Sequence, residues 1–103
     1  MEEPGRALYW IGSSLDDLRK FPDEVRQMMG FALWRARRGE KSPSAKPLRG
    51  FVGAGVLEII EDFGGDTYRA VYTARFSGVV FVLLAFQKQS KSGKATPQKD
   101  VEL

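Results

Sequence analysis

The chain has 103 residues, 43% of them apolar and 28% charged, which is the composition of one small globular domain over residues 1–103. It contains no cysteine and no histidine. That excludes disulfides, thiolate nucleophiles, Ser–His and Cys–His catalysis and a ribonuclease built on a histidine pair, and it argues against a transition-metal site. In chain order, the aromatic run Leu8–Ile11 predicts a first strand. Ser13 and Ser14, each with an aspartate three positions on (Asp16 and Asp17), form a carboxylate variant of the helix capping box and open a short helix ending near Phe21. Pro22 suits the first turn of a second helix, whose dipole Asp23 and Glu24 complement. Val25, Met28, Met29, Ala32, Leu33 and Ala36 then repeat at helical spacing until Gly39 ends the pattern.

Residues 40–55 are rich in glycine and proline and read as a long loop, with Gly50, Gly53 and Gly55 supplying flexibility. Three strands follow: Val56–Asp62, Thr67–Arg75 and Val79–Lys88. They are joined by a tight turn at Phe63-Gly64-Gly65-Asp66 and a second at Ser77-Gly78. The last strand is almost wholly apolar, as a strand covered on both faces must be. Residues 89–103 form a basic polar tail whose one ordering signal is the helix cap Thr96-Pro97. The expected fold is therefore α+β, with two N-terminal helices packed on one face of an antiparallel sheet. The longest apolar run is far short of the ~20 residues a membrane helix needs, and the first residues lack the apolar core of a signal peptide. A soluble cytoplasmic protein, with no membrane partner, is the expectation.

The net charge of +3 is unevenly spread. Residues 35–49 sum to +5 and residues 67–99 to +6, the latter without a single acid, whereas residues 50–66 sum to −4. Two cationic blocks on a small domain suggest a polyanion surface; the plain alternative is a solubilising surface with a basic tail. Alternation along Thr67–Arg75 puts Tyr68, Ala70, Tyr72 and Ala74 toward the helices. Arg69 and Arg75 then share the open face, roughly 20 Å apart at ~3.3 Å per residue. They are either a phosphate site or the partners of Glu58 or Glu61 across the sheet. Glu58, Glu61 and Asp62 are expected on a solvated strand edge rather than around a cation. Trp10 and Trp34 are expected in the core, and Arg35, Arg37 and Arg38 suit the C-terminal dipole of the second helix.

Five segments occur in a familiar order: Lys46-Pro47-Leu48-Arg49-Gly50; Gly55-Val56-Leu57-Glu58-Ile59; Tyr68-Arg69-Ala70-Val71-Tyr72; Val82 through Lys91; and Thr96-Pro97. Together they resemble the RelE/ParE superfamily, and within it the phage-derived, HigB-like toxins of type II toxin–antitoxin systems. The resemblance implies a four-stranded antiparallel sheet with two N-terminal helices. It implies an enzyme, a metal-free and cofactor-free mRNA endonuclease working on the ribosome, held in check by a small helix-turn-helix antitoxin. By position, the catalytic residues it implies are Arg69, Lys88 and Lys91, with Lys46, Arg49, Arg75 and Lys94 contacting phosphate. The family's histidine is Leu84 here and one of its lysines is Gln89. Proton transfer would then fall to lysine, since arginine stays protonated. The rival functions are a ParE-like inhibitor of DNA gyrase without nuclease activity, and a non-catalytic relative that binds nucleic acid or antitoxin.

Overall fold

The computed structural model describes residues 5–89. Its elements are β1 (Ala7–Trp10), α1 (Ser14–Arg19), α2 (Asp23–Arg37), β2 (Ala45–Pro47), β3 (Val56–Phe63), β4 (Asp66–Thr73) and β5 (Val79–Gln89). The strands form one sheet in the order β1-β5-β4-β3-β2. β2, β3, β4 and β5 are antiparallel to their neighbours, but β1 runs parallel to β5, with Ala7 opposite Val79 and Trp10 opposite Val82.

The sheet is thus five-stranded and mixed, not four-stranded and antiparallel. Two features account for the difference. β2 lies inside the segment expected to be a loop, and its three residues are too few to show a period. As an edge strand it tolerates Pro47, which has no N–H to offer a ladder. β1 takes its direction from a partner at the far end of the chain, which its own residues do not encode.

The apolar stripe of α2 predicted from spacing is the stripe that is buried. Val25, Met29, Ala32, Leu33 and Ala36 join Leu18 and Phe21 in one core with Ile59, Tyr68, Ala70, Tyr72, Val80, Val82 and Ala85 of the sheet. Gly39, at φ 78°, takes the left-handed position past α2, and the Glu40 N–H donates back to the Arg35 carbonyl. The capping box does not form as expected. Ser13 is the N-cap of α1, but its hydroxyl donates to the Asp17 carboxylate (2.7 Å) rather than accepting a backbone N–H. The buried Ser14 hydroxyl instead donates to the Val82 carbonyl at 3.1 Å, tying α1 to β5.

The opposite face of the sheet carries a second, smaller apolar cluster. Leu48, Phe51 and Ala54 of the β2–β3 connection cover Val56, Val71, Phe81, Leu83 and Leu84. β5 is therefore covered on both sides, by the helices and by this connection. It manages both through a β-bulge: Val71 is opposite Leu84 and Tyr72 opposite Val82, so Leu83 is the extra residue. The bulge turns Leu83 and Leu84 both toward the second cluster and returns Ala85 to the main core.

Candidate functional site

Register and alternation define the side chains of the helix-free face. β3 contributes Glu58, Ile60 and Asp62, and β4 contributes Thr67, Arg69 and Val71. β5 contributes Leu84, Phe86 and Lys88, and the edge strand β2 adds Lys46. The β2–β3 connection covers the Val56–Val71 end of this face, leaving the half around Arg69 without an apolar lid.

Arg69 occupies the middle of that half, opposite Ile60 on one side and Phe86 on the other. One of its Nη groups donates to the Glu58 carboxylate at 3.1 Å. Both partners are withdrawn from water, with side chains 17% exposed for Arg69 and 4% for Glu58. The cross-strand pairing left open by the sequence is therefore made, with Glu58 and not Glu61. It does not exhaust the guanidinium, which has five N–H donors. The Nε is buried and has no hydrogen-bond partner among the described residues. Lys46 stands opposite Glu58 on β2 and is exposed, and Lys88 stands opposite Thr67, half-buried. Arg69 thus has Lys88 on the adjacent strand β5, and Lys46 two strands away on the edge strand β2.

The remaining candidates lie elsewhere. β4 ends at Thr73, so Arg75 has left the sheet. It sits beside Gly55, with its guanidinium 5.4 Å from the centre of the Phe76 ring. Arg49 is exposed in the turn after β2, near this same end. Arg69 and Arg75 therefore do not share one phosphate site. Lys91 and Lys94, and the cap at Thr96-Pro97, fall outside the described residues.

The two cationic blocks meet only in part, through Lys46 and Arg49. Arg35 and Arg38 extend from α2, where both approach Glu40 (3.5 and 3.7 Å), and Arg37 donates its Nε–H to the Arg6 carbonyl at 2.7 Å.

Three further expectations are corrected. β3 is an interior strand, so Glu58 is buried rather than solvated, and Glu61 faces the opposite side from Glu58 and Asp62. Trp34 is 46% exposed, stacked on Phe31, and lines an apolar groove of about 330 Å³ with Leu8, Trp10, Leu15, Leu18 and Leu33. The signal was present in the sequence, since position 34 lies off the Val25–Met29–Ala32–Leu33–Ala36 stripe. The glycines of residues 50–55 serve conformation rather than flexibility, most clearly at Gly55 (φ 74°).

Tyr72 faces the helices, fully buried, as alternation predicts. Its hydroxyl has no hydrogen-bond partner among the described residues, and burial pushes the phenol from 10.0 up to about 12. An unsatisfied buried hydroxyl is costly, so Tyr72→Phe should leave stability unchanged or raise it by about 1 kcal/mol. The pH dependence has a definite sign. The folded phenol holds its proton more tightly than the unfolded one, so its contribution is intact below pH 10. It is lost as pH rises from 10 to about 12. Urea unfolding across that interval should show a steeper decline for the native sequence than for Tyr72→Phe; parallel curves would mean that the phenol titrates alike in the folded and unfolded chains and so is in contact with water.

Among the described residues no helix is long and apolar enough to cross a membrane. No curated protein sequence matches the chain at a significant level. Among solved structures, E. coli toxin RelE, determined in its free state as a variant with two arginines replaced by alanine, shares the fold. The TM-score is 0.60 and the identity 23%, over 86% of this chain and 87% of that one. The sequence also fits the pattern of a family of phage-derived, Gp49-like proteins over residues 16–103, which takes in most of α1 and every element after it. The chain belongs to this Gp49-like family.

Proposed function

We propose that the protein is the toxin of a type II toxin–antitoxin system, of HigB-like type. In this reading it cuts mRNA on the ribosome in the cytoplasm and is neutralised by a small helix-turn-helix antitoxin. The observation that carries this reading is the helix-free sheet face with Arg69 at its centre, Lys88 on the adjacent β5 and Lys46 on the edge strand β2. A Gp49-like chain with the fold of a known toxin presents there a cationic group able to hold a phosphodiester.

The chemistry follows from the residue types. The RNA 2′-hydroxyl attacks the adjacent phosphorus, the bond to the 5′-oxygen breaks, and a 2′,3′-cyclic phosphate and a 5′-hydroxyl result. Arg69 cannot exchange a proton and acts on the non-bridging oxygens, whose charge grows in the transition state. Of Lys88 and Lys91, one in its neutral form takes the 2′-hydroxyl proton and the other, as ammonium, returns one to the 5′-oxygen. Lys46 holds the neighbouring phosphate, and Arg49, Arg75 and Lys94 contact the strand farther along. The ribosome orients the substrate, which relieves a small protein of that entropic cost.

Primer extension on cellular mRNA after brief induction tests the activity. New ends at codon positions support it. Intact mRNA with accumulating DNA damage would instead mark a gyrase inhibitor. The role of lysine is tested separately by Lys88→Arg, which keeps the charge but removes the exchangeable proton. Cleavage on programmed ribosomes at saturating protein should fall about a hundredfold or more if Lys88 transfers a proton. Full activity would leave Lys88 as a phosphate contact only.

A further inference from the structure

Tyr9 of β1 and Phe81 of β5 are register partners on the helix-free face, with ring centres 6.0 Å apart and planes tilted by 32°. Phe76 stands edge-on to Phe81 at 5.6 Å and 89°, and the Arg75 guanidinium covers Phe76. Tyr9 is 56% exposed and Phe76 39%. The core does not account for them. Leu8 and Trp10 on either side of Tyr9 supply the inward contacts of β1, so a polar residue would serve the fold equally well at position 9. The carboxylates of this face, Glu58 and Asp62, belong to β3, two strands away from β5. The rings therefore form an aromatic surface with an arginine and, among the described residues of this face, no acid on β1 or β5 beside it.

We propose that the exposed rings of Tyr9 and Phe76, joined through the half-buried Phe81, form a stacking platform for an unpaired RNA base, with Arg75 contacting its phosphate. The proposal rests on the nuclease reading above and extends it to a subsite on the same face. An exposed ring such as Tyr9 or Phe76 accepts any base by its π-face, and a base whose phosphate meets arginine gains charge pairing as well. The separation from the proposed cleavage site follows from register. Arg69 is opposite Phe86, and Phe81 lies five residues back along β5, about 16 Å at ~3.3 Å per residue. The platform would thus hold a nucleotide a few positions from the scissile phosphate and favour purines, which offer the larger stacking area.

The test uses the full chain and labelled, uncleavable 2′-O-methyl RNA hexamers of adenosine and of uridine, with affinity read by fluorescence anisotropy. Tyr9→Ala and Phe76→Ala should each weaken adenosine-hexamer binding about tenfold. Tyr9→Trp should preserve it, and Tyr9→Leu should behave like alanine. Phe31→Ala, on α2, should change nothing. An abasic position within the hexamer should weaken the native protein but not Tyr9→Ala. Native affinity in Tyr9→Leu would mean a merely apolar surface and overturn the platform. Native RNA affinity in Tyr9→Ala and Phe76→Ala, with mRNA cleavage intact, would overturn it while sparing the nuclease. Loss of antitoxin affinity alone in these variants would assign the rings to a protein partner and overturn it equally. If the native chain neither binds the hexamers nor cuts mRNA on ribosomes, the nuclease reading fails and the platform with it.

Discussion

Arg69→Ala should abolish growth arrest and, separately, loosen the fold, and the two losses can be told apart. The Glu58 carboxylate is nearly inaccessible to water and takes its charge-assisted hydrogen bond from Arg69. Truncating the arginine removes a charge-assisted hydrogen bond from a buried carboxylate, at a cost of about 3 kcal/mol. For a domain of this size that is a fall of roughly 15 °C in Tm. Loss of toxicity in Arg69→Ala alone would therefore be ambiguous. Glu58→Gln/Arg69→Ala resolves it, because glutamine keeps the shape of the side chain and removes the charge. The double variant should recover most of the lost stability, by thermal melting, and none of the toxicity. A toxic double variant would show that Arg69 serves only as a counter-charge, and the phosphate-binding role would be withdrawn.

Gly55→Ala should be strongly destabilising for the addition of one methyl group. Gly55 holds φ 74°, a region that costs an L-residue on the order of 1–2 kcal/mol. A Cβ built there would lie 2.5 Å from the Arg75 Cβ, 3.1 Å from its Cα and 3.2 Å from its amide nitrogen. Backbone must move to relieve this, and the Ala74 N–H bond to the Gly55 carbonyl (2.7 Å) holds the two segments together. Strain and clash combined should exceed about 3 kcal/mol. Gly64→Ala is the control. Gly64 has a similar φ of 62° but open space around it, so it should lose only about 1 kcal/mol. Equal losses in urea unfolding would mean that the approach of Arg75 to Gly55 is not tight in solution.

What the sequence shows of this fold depends on how local each determinant is. The buried stripe of α2 and the β3–β4–β5 meander are legible because their signals are short-range. These signals are the Val25–Ala36 spacing, the alternation around Tyr72, and Gly64-Gly65, both at positive φ in the turn. The parallel pairing of β1 is not legible, since the direction of a strand has no period. Nor is the Leu83 bulge, because an unbroken apolar run hides a residue that changes sides. At the site, alternation correctly places Arg69 away from Tyr72 but cannot choose between a free guanidinium and one bound to Glu58. That choice depends on the β3–β4 register. Arg75 is misplaced for a simpler reason, which is that β4 stops two residues before it.

The parallel pairing of β1 with β5 also orders events while the protein is being made. Ala7 leaves the ribosome 72 residues before its partner Val79, so the first strand is synthesised long before anything exists for it to pair with. Until then Leu8 and Trp10 lack the Val80 and Val82 beside which they pack, and closing so long a loop is a late and slow step. Lys88 and the Phe86 that flanks Arg69 are supplied by that same late strand. A partly made chain therefore carries Arg69 without the surface that surrounds it. The face is complete only once translation has passed β5, so a partner already present meets the chain before Phe86 and Lys88 have joined Arg69.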